Sequence, residues 1–126
     1  DVIVAARNRD SGPALAKQYG FQWQPLPEGI ACDILVNVTP VGMAGGKESD
    51  ELAYSEAMVA SASVVFDVVA LPPDTPVIKL AQKLGKKTIS GAEVIALQAV
   101  EQFAMYTGVR PDDALISEAA EFARAG

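Results

Sequence analysis

The sequence has no histidine and only one cysteine, Cys32, among its 126 residues. Without histidine it lacks the side chain that most often moves protons near neutral pH, so any such step needs another group or another segment. A single cysteine excludes an intrachain disulfide, and with no histidine beside it there is no zinc-ligand spacing, so no metal site is expected. Positive charge is also scarce. Ten Lys and Arg against 16 Asp and Glu leave a formal net charge of -6, the wrong sign for a general nucleic-acid binder that must neutralise phosphates. No apolar run approaches the roughly 20 residues of a membrane-spanning helix, so no membrane partner is expected. With no signal peptide in view, the lone cysteine points to a reducing cytoplasm.

What is present is an ordinary globular balance, 50% hydrophobic and 21% charged, enough for one domain over residues 1–126. The chain opens at Asp1 and enters a strand-like run almost at once, so it reads as a piece of something longer. Val2–Ala6 suits a strand buried on both faces. Asp10 or Ser11 is placed to cap a helix with Pro13 in its first turn, ending about Tyr19 at Gly20. Phe21–Gln24 alternates like a short edge strand, and Pro25 and Pro27 interrupt it. Ile34–Val38 and Val64–Val69 are strong buried strands, with a glycine-rich loop (Gly42 to Gly46) and a short helix near Tyr54–Ala60 between them. Thr75 and Pro76 read as N-cap and first position of a helix over about Val77–Leu84. Lys87–Ile89 is a last strand, followed by helices over about Ala92–Thr107 and Asp112–Ala125. Strands alternating with helices through short loops predict an α/β fold, a Rossmann-like doubly wound parallel sheet with ligands at the carboxyl ends of its strands.

Four segments lie at those ends. In the first, Arg7-Asn8-Arg9 follows a strand at the place where dinucleotide-binding folds meet the adenosine ribose. Arginine there suits a 2′-phosphate, whereas an acidic residue suits free ribose hydroxyls; solvated loop arginines are the competing reading. Asn37, Thr39 and Gly42 form a polar strand tip that either organises a turn or meets a ligand. Gly45-Gly46-Lys47 is not a phosphate-binding P-loop, because Glu48 stands where Ser or Thr is required. Asp67 ends a strand and either caps a loop or touches a ligand. Ser90-Gly91 brings backbone close to a flat ring, and Gln98 lies about two turns into the next helix, as a surface glutamine or a hydrogen-bonding group.

Taken together, these stretches resemble the C-terminal half of the shikimate dehydrogenase family. They are Asn37-Val38-Thr39-Pro40-Val41-Gly42-Met43, then Phe66-Asp67-Val68-Val69 with Thr75-Pro76, and Ser90-Gly91 through Gln98-Ala99 to Phe103, Thr107-Gly108 and Pro111. Gly42 through Glu48 and the helix Leu97–Phe103 look particularly like its shikimate-dehydrogenase-like branch. The resemblance covers nearly the whole chain. It implies an NADP-dependent oxidoreductase of aromatic amino acid biosynthesis that acts on 3-dehydroshikimate and shikimate, or on quinate. It also implies cofactor contacts at Arg7, Asn8, Arg9, Thr39, Val68, Gly91 and Val94, and a substrate contact at Gln98. Arg7 aligns with the family's 2′-phosphate arginine, and Arg9 is the reserve.

The departures are specific. Ala70 stands where a tyrosine borders the substrate, Val94 replaces a methionine, and Glu93 adds a carboxylate. The family's first strand and diphosphate loop are expected upstream of Asp1. Its catalytic lysine-aspartate pair belongs to an N-terminal substrate domain, so no residue here is assigned proton transfer. The first strand is central in the 3-2-1-4 order. Its removal should expose two apolar strand edges, leading the isolated chain to re-pair its sheet or form a homodimer, unless it is part of a longer protein. A nucleotide-binding module for regulation or assembly, without catalysis, is the alternative.

Overall fold

The computed structural model describes residues 1–125. Along the chain it forms β1 (Ile3–Ala5), α1 (Ser11–Tyr19), β2 (Gln22–Gln24), β3 (Ile34–Asn37) and α2 (Glu56–Ser61). These are followed by β4 (Val64–Asp67), α3 (Pro76–Lys83), β5 (Lys87–Ser90), α4 (Gly91–Thr107) and α5 (Asp113–Ala125). The predicted α/β alternation holds, with β1 to β4 shorter than expected by a residue or two and β5 longer by one. Every pairing is parallel, in registers that bring Ile3 beside Gln22, Ile34 beside Val64 and Val64 beside Lys87.

The strands form two sheets, β1-β2 and β3-β4-β5. The break falls between β1 and β3, where the sequence reading places the first strand of the fold. The expected re-pairing does not occur, since β1 and β3 share no ladder. On β3 the carbonyls of Asp33 and Asn37 accept bonds from Val64 and Val68 on the β4 side, so the Val36 carbonyl points to the open edge. The Tyr54 hydroxyl donates to it at 2.7 Å, which satisfies that edge group without a second strand.

Alternation along β3 and β4 decides where the core lies. Leu35 and Val65 face Met58, Val59 and Ala62 from α2 and its end, and Val77, Ile78 and Ala81 from α3; all are buried in one cluster. On the opposite face Ile34, Val36 and Val38 remain exposed. Helices α2 and α3 are started by side-chain caps. The Ser55 hydroxyl accepts from the Met58 N–H, and the Thr75 hydroxyl accepts from the Ile78 N–H with Pro76 at the first position.

At α1 the cap differs from expectation. Asp10 occupies the N-cap position but makes no side-chain cap bond. Asn8 Oδ1 accepts from the N–H groups of both Asp10 and Ser11, each at 2.9 Å. Asp10 has helical backbone angles, so its carboxyl does not lie over the first turn. Gly12 is buried beneath Trp23: a β-carbon there would come within 2.9 Å of Ala6 Cβ and Trp23 Cδ1. The Trp23 indole N–H donates to the Ala6 carbonyl at 3.3 Å, tying β1 to β2 just below Arg7.

Candidate functional site at the carboxyl ends of the strands

Each strand delivers its polar residues at its carboxyl end. Arg7 follows β1, Thr39 follows β3, Val68 follows β4 and Gly91 follows β5. A side-chain contact links the end of β1 to the loops of the second sheet. Arg7 donates Nη1 and Nη2 to Glu48 Oε1 and Oε2 at 2.9 and 3.2 Å, a two-pronged ion pair from the end of β1 to the loop after β3. The Glu48 carboxylate raises the Arg7 pKa through the hydrogen bond and its charge, and the Arg7 guanidinium lowers that of Glu48. The arginine side chain is still 67% exposed. Arg9 is exposed too and has no ion pair among the described residues. Sequence reading missed Glu48 as a functional neighbour, because a partner 41 residues away leaves no local pattern.

The loop that carries Glu48 is held at several points. The Glu48 carbonyl accepts from Gly42 N–H at 2.9 Å and from Glu51 N–H at 3.2 Å, and Ala44 N–H donates to the Leu71 carbonyl at 2.9 Å. Gly42 has φ +85° and packs so closely that a β-carbon would lie 3.1 Å from Thr75 Cβ. Any other residue would be strained there twice over. Lys47 is exposed, as expected for a solvated loop lysine.

Behind the loop is a buried chain of polar groups. Thr39 Oγ1 donates to Asn37 Oδ1 at 2.7 Å, as does Thr39 N–H at 3.0 Å, and Val41 N–H donates to Thr39 Oγ1. Asn37 Nδ2 donates to Asp67 Oδ1 at 3.1 Å, which also accepts Val69 N–H at 3.0 Å; Asp67 Oδ2 accepts from Thr75 Oγ1 at 2.6 Å. Asn37, Asp67 and Thr75 are buried, and every buried side-chain polar atom among the described residues has a partner. Of the two roles open to Asp67, the structure gives loop capping. Thr39 itself remains exposed beside this chain.

The last group gathers at the start of α4. Ser90 caps it in a two-way box: Glu93 N–H donates to the Ser90 hydroxyl, while the Ser90 N–H donates to Glu93 Oε2 at 2.7 Å. Glu93, an unusual residue by resemblance, thus has a local structural use. Gly91 is buried against β4, where a β-carbon would stand 2.6 Å from the carbonyl carbons of Val68 and Val69. Val68 is exposed and Val94 half-buried, while Gln98 is exposed one turn beyond Val94. Gly91, Val94 and Gln98 follow three- and four-residue spacing along one side of α4.

A shallow cavity lined by Glu28, Ile30, Ala31 and Met58 lies beside α2 and includes none of these residues. Among the described residues no cluster of His, Cys, Asp and Glu could hold a metal ion. No helix there is long and apolar enough to cross a membrane.

No family model matches the chain. Among curated proteins it is 56% identical over 121 residues to a shikimate dehydrogenase-like protein of Haemophilus influenzae, covering 96% of this chain and 45% of that protein. It is 39% identical over 128 residues to a shikimate dehydrogenase (NADP(+)) of Archaeoglobus fulgidus, covering 94% of this chain and 46% of the relative. Among solved structures, a shikimate 5-dehydrogenase-like protein superposes with TM-score 0.93 at 56% identity, over 97% of this chain and 45% of the other. The Thermus thermophilus shikimate 5-dehydrogenase in complex with NADP(H) and shikimate gives TM-score 0.78 at 28% identity, over 97% of this chain and 46% of the other. The chain spans about half the length of the curated relatives it matches, their C-terminal part.

Proposed function

We propose that this chain, which belongs to the shikimate dehydrogenase family, is the NADP-binding portion of an oxidoreductase acting on 3-dehydroshikimate and shikimate, or on a close analogue such as quinate. The observation that carries this reading is the exposed Arg7 guanidinium following β1, together with the close packing of Gly91 on Val68. The residues fit the cofactor at both ends. A reachable, permanently charged guanidinium suits a 2′-phosphate, and a glycine where a β-carbon would clash keeps the floor flat.

NADP, when bound, supplies the hydride chemistry; the chain's own residues bind and orient it. Arg7 takes the 2′-phosphate, with Arg9 beside it. Asn8 Oδ1 is engaged in capping α1, which leaves its NH2 group for the ribose. Thr39 borders the cofactor from the loop after β3, while Val68, Gly91 and Val94 form the surface for the nicotinamide. Gln98 reaches toward the substrate, and proton transfer belongs to a substrate domain outside this chain. Cytoplasmic location and a homodimer complete the proposal. A regulatory module without catalysis is disfavoured, since the matched relatives are named as dehydrogenases.

The test is cofactor binding to the full-length protein, wild type against Arg7→Ala. NADP affinity should fall about 10- to 100-fold, the worth of a charge-assisted pair, with NAD affinity little changed. Equal loss for both cofactors, or none for either, overturns the 2′-phosphate assignment. If 3-dehydroshikimate and quinate are both inert as substrates, the substrate assignment fails while the cofactor site stands; Ala70 makes that measurement necessary.

A further inference from the structure

We propose that Glu48 sets the balance between phosphorylated and unphosphorylated cofactor by competing with the adenosine 2′-phosphate for Arg7. The inference rests on Arg7 being the 2′-phosphate ligand. The end-on fork of the guanidinium, one N–H from each of Nη1 and Nη2, is already engaged by the two Glu48 oxygens, at 2.9 and 3.2 Å, and the group's other N–H donors carry the same charge that Glu48 offsets. The competitor is built in, because its own backbone is fixed: the Glu48 carbonyl is bound by the N–H groups of Gly42 and Glu51, and Gly42 is wedged on Thr75. The Glu51 carboxylate adds to the negative field at Arg7.

An incoming 2′-phosphate must displace one carboxylate or share the guanidinium with it, and must approach another, so part of its attraction to Arg7 is spent against Glu48. A cofactor with a free ribose meets no such cost. Glu48 therefore narrows the preference that Arg7 alone would give. Glu48 acts on the phosphate through Arg7, as a positioning residue.

The experiment measures dissociation constants of NADP, NAD, 2′,5′-ADP and 5′-AMP for the full-length protein. Wild type, Glu48→Gln, Arg7→Ala and the double variant are compared, with thermal unfolding as the check on folding. For Glu48→Gln the ratio of NADP to NAD affinity should rise about threefold to fivefold, the range of an exposed ion pair, with the same change for 2′,5′-ADP over 5′-AMP. In the double variant the ratio should match that of Arg7→Ala alone. The proposal is overturned if Glu48→Gln leaves the ratio unchanged, or weakens both cofactors alike, while Arg7→Ala still weakens NADP selectively. If Arg7→Ala has no selective effect, the underlying cofactor reading fails and takes the proposal with it. Should Glu48→Gln unfold, Glu48→Ala and the salt dependence of the wild-type ratio decide. Added salt screens the pair and the phosphate contact together, so a ratio indifferent to salt also counts against it.

Discussion

Thr75 Oγ1 donates to Asp67 Oδ2 at 2.6 Å, and neither residue is reached by solvent. This bond joins the carboxyl end of β4 to the first turn of α3, because the same hydroxyl accepts the Ile78 N–H. Through Asn37 it continues to Thr39 and the loop after β3. The floor of the site is thus set by a buried polar chain that crosses two strands. Such a chain is costly to break, since each donor or acceptor left alone stays out of water.

Thr75→Val keeps the size and removes the hydroxyl. It takes away one Asp67 partner and the cap of α3, so it should cost about 2–3 kcal/mol. Thr75→Ser should cost less than about 1 kcal/mol, because the bond can re-form. Urea unfolding midpoints at constant m-value measure both. Equal destabilisation by the two would show that the methyl group matters as much as the hydroxyl.

Gly91→Ala should destabilise by about 2 kcal/mol or more. The added carbon meets the carbonyl carbons of Val68 and Val69 at 2.6 Å, and these backbone atoms have little room to yield. The first turn of α4 must then move away from β4. In cofactor titrations NADP and NAD should weaken together, in contrast to the selective loss expected for Arg7→Ala.

Tyr54 gives a pH dependence. Burial, followed by the nearby charges of Cys32 and Asp67, pushes its phenol up to about 12 from an ordinary value of 10. A folded pKa above the unfolded one means that the unfolded chain loses its proton first. The contribution to stability is therefore complete below pH 10 and declines as pH rises toward 12. Tyr54→Phe removes this titration together with the bond to the Val36 carbonyl. The stability gap between wild type and variant should be widest near neutral pH and shrink between pH 10 and 12; denaturation midpoints at pH 8 and pH 11 compare them. A gap that widens with pH contradicts the assignment.

The element order was legible because apolar β-branched runs and glycine stops are local signals. Gly20 ends α1 with φ 70° and Gly108 ends α4 with φ 71°, as their positions in the sequence suggested. The break between β1 and β3 was legible only through the family resemblance, since no pattern in either strand records a missing neighbour. Asn37, Asp67 and Thr75 each looked like separate turn or cap residues. Their union into one network depends on the β3–β4 register, which a single sequence does not reveal. Glu48 was invisible as a partner of Arg7 for the same reason: ion pairs between distant loops follow from the fold.

The cap of α1 offers a sharper test, because two neighbouring residues make opposite predictions. Asp10 has the residue type preferred at an N-cap and occupies that position, yet its side chain makes no cap bond. Asn8, two residues earlier, accepts two of the N–H groups at the helix start, and the Gly12 N–H donates to its carbonyl at 3.1 Å. Asn8→Ala should therefore cost about 1 kcal/mol, a normal cap loss, while Asp10→Ala should fall within about 0.5 kcal/mol of wild type. The same asparagine follows Arg7 directly, so loosening its turn frees the guanidinium from a fixed approach. NADP affinity should consequently drop in Asn8→Ala and hold in Asp10→Ala. If the two substitutions were reversed in rank by chemical denaturation, the helix would be capped by Asp10 in solution, and Asn8 would be available to the ribose through its whole amide.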